Sequence, residues 1–383
     1  MINHTLIYIL EYPISNWVND ELDEVKKNVP TLRYTTVGQF YKEHSDSRYF
    51  HPKYIHYLWI FTQIIFNPFR YLQILKNYRK EVGLRIVIQT IAIAAVLKQH
   101  KDVTIHCHFA SSSATAALIL HKLYGYPFSF TAHAWDIYFS TVNKTLLQEK
   151  LTSAYYIRTI SEYNKTHLTR IVPESQSKIH VIHCGINLEN FPTTYRKPNS
   201  QTFTILSASN FVEKKGYIPF IESFKDIDIS EISFQWKIAG NGPLKEPLIY
   251  LVQKNGLEPY IELVPSIPHE KLLDFFNTGN VFFLPCIISS NGDRDGIPVT
   301  LMEAMASGII TISTPVSGIP ELIEHQKNGF LLADNTIGEL IKTINYLKQL
   351  SVKEIKDIQN NARSTIENNF DIKNIVKSHM KYL

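Results

Sequence analysis

The sequence predicts an α/β protein built from two doubly wound halves. Three observations lead there. Short apolar runs alternate with helix-periodic stretches along the chain, as expected for βαβ units around a mainly parallel sheet. At 383 residues the chain exceeds what one hydrophobic core usually organises, which favours two domains. A polar, proline-bracketed segment at 192–202, PTTYRKPNSQT, then breaks the alternation just before a fresh apolar run. It places a linker between a first domain at 1–195 and a second at 202–383.

In the first half, apolar runs predict strands at 6–10, 104–108, 128–131, 156–160 and 179–183, with helices in the gaps. The interval 54–99 must be mostly helical, because a compact domain does not tolerate so long a structureless stretch. It mixes aromatic residues (Tyr57, Trp59, Phe61, Phe66, Phe69) with basic ones (Arg70, Lys76, Arg79, Lys80). Such a face suits peripheral contact with a membrane surface; the plainer account puts the aromatics in the core and the cations in solvent. In the second half, strands are expected at 203–207, 234–239, 261–264, 281–285, 309–313 and 330–332. Doubly wound sheets take ligands outside the carboxyl ends of their strands, so the active site is expected between the domains. The segment after 351 is a candidate to cross back to the first domain.

Composition narrows the classes. Hydrophobic residues make up 44% and charged residues 19%, globular values that argue against disorder. The net charge of +4 is carried by scattered basic residues and gives no nucleic-acid case. Cys107, Cys184 and Cys286 are odd in number, far apart and beside apolar runs, which reads as buried free thiols in a reducing cytoplasm. MINHTLIYILEYP reads as a first strand, not a signal peptide, and the uncharged runs 57–69 and 86–97 are too short to span a bilayer. A cytoplasmic protein, soluble or at the membrane face, is expected.

The chemistry concentrates at 291–308, NGDRDGIPVTLMEAMASG. Pro298 suits the first turn of a helix, and Gly296 lets the backbone approach a ligand. With the helix ending at Gly308, Glu303 sits some five residues in, roughly 7.5 Å along the axis, while Asp295 stays on the loop. The two carboxylates can accept hydrogen bonds from hydroxyls at two ends of an elongated ligand, with the helix N-terminus facing an anionic group between them. That describes a hexose, a diphosphate and a ribose. Asp293, Arg294 and Asp295 also spell D-x-D, a divalent-cation pattern that arises often by chance.

Further candidates follow other strands. Lys215, in LSASNFVEKKG, stands at a strand-to-helix turn, where an ammonium offsets phosphate charge; a solvated surface lysine is the duller account. AGNGP puts Gly240 and Gly242 in a turn after a strand, a common pattern in itself. FTAHAWD offers His133 to hydrogen-bond a sugar hydroxyl, or merely to cap a loop, with Asp136 as neighbour. His106 and His108 share one face of a strand, where packing is the simpler role. STPVSGIPE sets Gly318, Pro320 and Glu321 at a turn that helix capping explains equally well.

These segments together resemble retaining glycosyltransferases of family four, the glycosyl transferases group 1, whose GT-B fold sets two Rossmann-like domains across a cleft. The resemblance is dense over 207–332 and thin before about 103. The family carries two glutamates separated by seven residues in EGIPVVLMEAMA; this chain reads DGIPVTLMEAMA. Glu303 matches the second glutamate, which the resemblance places on the donor ribose. Asp295 replaces the first and is one methylene shorter, which changes its reach to the donor hexose. GRLVEKKG in the family has an arginine and a lysine on the phosphates; here Lys215 matches the lysine and Asn210 stands at the arginine position without its charge. His133 matches a histidine at the donor sugar, and Gly240, Gly242, Gly296, Ile297 and Pro298 fall on donor-side backbone. Ser15 and Asn16, on the loop after the first strand, mark the acceptor side but depart from the family's SETF-like pattern.

The resemblance implies transfer of a hexose, with retention, from a UDP- or GDP-linked sugar to a glycan or lipid-linked oligosaccharide, in bacterial surface polysaccharide or lipopolysaccharide assembly. The donor is a substrate; neither a cofactor nor a metal is called for. Asn210 and Asp295 leave open a non-catalytic sugar-nucleotide-binding member of a polysaccharide assembly complex. A nucleotide-sugar epimerase of the same fold is the third alternative.

Overall fold

The computed structural model describes residues 5–11, 16–29, 31–37, 46–100, 102–195, 203–227 and 234–383. It divides into two compact units, Met1–His183 with Val376–Leu383, and Cys184–Ile375. The division falls ahead of the polar segment at 192–202, and the last residues belong to the first unit.

The first unit is built on a six-stranded sheet in the order β2-β1-β3-β4-β5-β6, every pair parallel. The strands are β1 (Thr5–Glu11), β2 (Arg33–Val37), β3 (Val103–His108), β4 (Phe128–Ala132), β5 (Tyr156–Thr159) and β6 (Ile179–Val181). Helices cover parallel sheets on both faces, so most strand residues are buried; Leu6 to Leu10 of β1 are all within the core. Helix α1 (Asn16–Asn28) joins β1 to β2. Between β2 and β3 lie α2 (Tyr54–Phe66), α3 (Pro68–Val82) and α4 (Leu84–Leu97), the helical content expected for 54–99. The aromatics there do not share one fate. Tyr71 and Tyr78 are buried and Tyr57 and Trp59 half-buried, whereas Phe61, Phe66 and Phe69 stand in solvent.

A charge lies under the carboxyl edge of this sheet. Arg158, on β5, is fully buried; its Nη1 donates to Glu21 Oε1 of α1 at 2.5 Å, its Nε to Ile182 O at 3.0 Å and its Nη2 to His183 O at 2.7 Å. Burial opposes ionisation of Glu21, but Arg158 and then His108 hold its carboxyl well below the usual range. His106, next inward on β3, exchanges hydrogen bonds with Ser129 Oγ (2.8 Å) and Thr131 Oγ1 (3.0 Å) of β4, a structural role.

The second unit repeats the plan. Its sheet runs β12-β11-β10-β7-β8-β9, again wholly parallel. The strands are β7 (Phe203–Ala208), β8 (Phe234–Ala239), β9 (Ile261–Val264), β10 (Val281–Leu284), β11 (Ile310–Ser313) and β12 (Phe330–Leu331). Trp236 donates through Nε1 to Ser207 Oγ at 2.8 Å, and its ring packs against Phe220 and Phe283 in the core. The helix Val352–Asn369 opens with a Ser351–Glu354 capping box and packs on Val299–Ser307. Its Arg363 Nη1 caps Ala306 O at 2.9 Å and Phe191 O at 2.7 Å.

Strand order reverses at β1/β3 in the first sheet and at β7/β10 in the second. Chains leaving the carboxyl ends of such neighbours diverge to opposite faces and leave a crevice, the usual ligand position. At the second reversal the walls press together. Gly216, just past β7, has φ +73°, and a Cβ there would lie 1.8 Å from Pro285 O. Gly256 in the same unit has φ +63° with open space around it. Gly256→Ala should therefore cost about 1 kcal/mol of backbone strain, and Gly216→Ala at least about 2 kcal/mol more through the collision. Urea unfolding of the two variants checks this; equal losses would show that the two walls separate freely.

Candidate functional site

In the second unit the candidate residues cluster at the β7/β10 reversal. The turn after β7 carries Lys214 and Lys215, and the loop after β10 carries Asp293 and Asp295. Lys215 Nζ lies 2.6 Å from Asp295 Oδ2, and Lys214 Nζ lies 3.1 Å from Asp293 Oδ2 and 3.7 Å from Asp295 Oδ1. Glu213, one residue earlier, accepts from Ser290 N at 2.7 Å and from Ser290 Oγ at 3.1 Å, closing a third clasp between the same segments. Thus both aspartates of the D-x-D pattern are engaged by lysines. Among the described residues no cluster of histidine, cysteine, aspartate and glutamate has metal-binding geometry.

The electrostatics favour charges held in place. Burial opposes the Lys215 ammonium, but Asp295 more than compensates and carries it above the ordinary lysine value. Burial likewise opposes the Asp295 carboxylate, and Lys215 and Lys214 hold it below its ordinary value. Cys286 Sγ is 3.8 Å from Asp295 Oδ2, and burial, with that carboxylate beside it, pushes the thiol up to about 12. It stays protonated and offers no nucleophile. Cys107 and Cys184 are also buried thiols outside any disulfide, as read from their spacing.

Beyond the loop, the helix is Val299–Ser307, with Pro298 at its N-cap, one residue outside the expected start, and Gly308 at φ +85° closing it. Gly296 O accepts from Gly318 N at 3.0 Å, which ties the approach to this helix to the turn before Pro320. Glu303 is 3% exposed, and its Oε1 lies 2.8 Å from His269 Nε2. His269 was not singled out by the sequence, where PHEK in a loop after β9 carries no distinguishing pattern. The turns after β7 and β8 interlock: Phe211 N donates to Asn241 O at 2.8 Å and Leu244 N to Phe211 O at 3.1 Å. A Cβ on Gly240 would lie 2.1 Å from Ser209 O, and one on Gly242 2.6 Å from Phe211 O, so both glycines serve this close approach of backbones. Asn210 is exposed at the tip of the first turn.

In the first unit the reversal gathers aromatic and imidazole rings. His133, after β4, is 6% exposed; its ring centroid lies 4.9 Å from Trp17 and 4.7 Å from Phe109, and it stacks on His108 at 6.0 Å. Burial above all, with the Arg158 guanidinium adding to it, pushes its pKa well below the ordinary value, so it is a neutral imidazole near pH 7. Asp136 fixes the loop, accepting from His133 N at 2.9 Å and Ala110 N at 2.5 Å. Phe109 has φ +70°, uncommon for an aromatic residue and held there beside His133. Asn16 opens α1, its side chain lying with Ser15 outside the described residues.

Known proteins share this architecture. Residues 43–190 match the family "Glycosyltransferase Family 4", and residues 194–365 match "Glycosyl transferases group 1". The amylovoran biosynthesis glycosyltransferase AmsK of Erwinia amylovora is 34% identical over 194 residues, 51% of this chain and 47% of AmsK. A phosphatidylinositol N-acetylglucosaminyltransferase component of Arabidopsis thaliana is 23% identical over 236 residues, 60% of this chain and 51% of that protein. The chain thus spans about half the length of the curated relatives it matches. Among solved structures, a glycosyltransferase from Rickettsia africae superposes with TM-score 0.72 at 18% identity, covering 99% of this chain and 98% of that one. Anabaena HepE, solved with UDP and glucose, gives TM-score 0.71 at 13% identity, covering 99% and 98%. The fold is GT-B.

The clasp at the reversal has a pH signature. Because the Asp295 pKa is lowered by folding, the stability it adds is complete above the ordinary carboxylate range and is lost as pH falls through its folded value. Asp295→Asn should cost about 1–3 kcal/mol at neutral pH, and the gap between variant and parent should narrow below about pH 4. Unfolding free energies of both proteins from neutral to acid pH measure this, and a pH-independent gap would refute the charge pairing.

Proposed function

Starting from a chain whose two halves are glycosyltransferase family domains, we propose that it transfers a hexose from a nucleotide-diphosphate sugar to a hydroxyl of a glycan or lipid-linked acceptor. The observation that supports this best is the Lys215–Asp295 pair at the β7/β10 reversal, a few residues before the buried Glu303. A diphosphate against Lys215 meets a fixed ammonium in a part-buried place, where charge stabilisation is stronger than in water. As the bond between the anomeric carbon and the phosphate oxygen breaks, negative charge grows on the departing β-phosphate, and Lys215 offsets it.

Glu303 then accepts hydrogen bonds from the ribose hydroxyls, with His269 setting the orientation of its carboxylate. Asp295, released from Lys215 by the diphosphate, receives a hydroxyl of the donor hexose. Asn210 adds a neutral donor where the resembled family has an arginine, so Lys215 carries more of the phosphate charge here. His133, in the first unit, is a neutral imidazole, suited to exchange a hydrogen bond with a sugar hydroxyl without acting as a base. The new glycosidic bond forms on the face from which the nucleotide leaves, which gives retention. UDP or GDP is the carrier, and the kinship with AmsK supports a setting in surface polysaccharide assembly.

Thermal unfolding of the parent and of Glu303→Ala against UDP, GDP, ADP and their sugars, with and without magnesium, tests the donor site. One nucleotide series at about one hundred times its dissociation constant should stabilise the parent by roughly 2.7 kcal/mol and leave the variant unmoved. Absence of any shift under every condition would overturn the donor reading. Binding without turnover across acceptors would favour a sugar-nucleotide-binding member of an assembly complex.

A further inference from the structure

The least expected surface of the molecule lies in the first unit, on α2 and α3. Helix α2 is apolar all round, a composition normally found in fully buried helices, yet only one side of it is covered. Ile60, with Tyr57, Trp59 and Ile64, packs into the core against α4. On the opposite side Ile55, Leu58, Phe61 and Ile65, at spacings of three and four, form a continuous exposed stripe. The stripe runs on across the α2–α3 junction, where Phe66 is 78% and Phe69 88% exposed. These residues, with Tyr54, Leu72 and Leu84, are half of the exposed large hydrophobics among the described residues. Isolated exposed apolar side chains are ordinary, but a contiguous stripe marks a surface that is covered in use.

The charges beside it indicate by what. From 47 to 80 the chain has no aspartate or glutamate, whereas Lys53, Arg70, Lys76, Arg79 and Lys80 are all exposed. The matching surface must therefore be both apolar and anionic. A second copy meeting the first through this face would set the same cations against each other, because a twofold contact pairs a patch with itself. A bilayer containing anionic lipid supplies both requirements: acyl chains at the depth of the stripe and negative head groups level with the lysines and arginines. Neither helix is long and apolar enough to cross a membrane, so the pair lies in the plane of the surface.

We infer that the α2–α3 face docks this protein on an anionic membrane, with Phe66 and Phe69 at the junction entering the boundary between head groups and acyl chains. The inference goes beyond the donor reading and does not rest on it, so either can fail without the other. Sedimentation of the full chain with vesicles of phosphatidylcholine alone, or of phosphatidylcholine mixed with phosphatidylglycerol, provides the test. The parent should sediment with the mixed vesicles and much less with the neutral ones, and raised salt should weaken binding. Phe66→Ser/Phe69→Ser should reduce the affinity for mixed vesicles more than tenfold while keeping the parent's unfolding midpoint, since neither ring is in the core. A parent that stays in the supernatant with mixed vesicles, or a variant that sediments like the parent, would overturn the inference. So would a concentration-dependent dimer that the same double variant abolishes, which would give the face to a second copy.

Discussion

The second unit depends on the ionic clasp between the turn after β7 and the loop after β10. The two strands are neighbours in the sheet, but the chain leaves them toward opposite faces, so the ladder ends with them and the segments beyond are joined by other contacts. The Lys215–Asp295 and Lys214–Asp293 ion pairs, the bonds from Ser290 to Glu213 and the bond from Ile287 N to Lys214 O are among those contacts. An apolar contact would have held the ends equally well and often more stably, because buried charges lose much of their Coulomb gain to desolvation. What the ionic version adds is an ammonium already ordered by its partners at the reversal.

The first unit solves the same geometric problem differently. There Glu21 of α1 pairs with Arg158 of β5 and lies 3.4 Å from His108 at the end of β3, and Arg158 also donates to the carbonyls of Ile182 and His183. The rings of His108, His133, Trp17 and Phe109 gather nearby in edge-to-face, tilted and stacked contacts, and His133 stays neutral because burial, and the Arg158 guanidinium, oppose its protonation. One unit therefore presents charge at its crevice, and the other presents neutral hydrogen-bonding and aromatic surface.

The strands were largely legible because buried parallel strands are written as apolar runs. Phe234–Ala239 and Ile261–Val264 are where the sequence pattern puts them. β2 was not, since RYTTV lacks an apolar run and owes its strand to pairing with β1. Helix content over 54–99 followed from length and composition, but which aromatics face the core was not readable, because α2 is apolar on both sides and periodicity then has no contrast. At the site, Lys215, Asp295 and Glu303 stood out by motif. Their partners did not: the Lys215–Asp295 pair joins positions 80 apart and Glu303 meets His269 across 34, separations that only the folded sheet closes. The close packing served by Gly240 and Gly242 was likewise invisible in AGNGP alone.

On the proposed function the clasp is also the anion site. A crystal structure of the chain with the nucleoside diphosphate that stabilises it most would test this directly. Phosphate oxygens are expected about 3 Å from Lys215 Nζ, with Asp295 displaced from that nitrogen and ribose hydroxyls on Glu303. A nucleotide bound elsewhere, with Lys215 still 2.6 Å from Asp295, would contradict it.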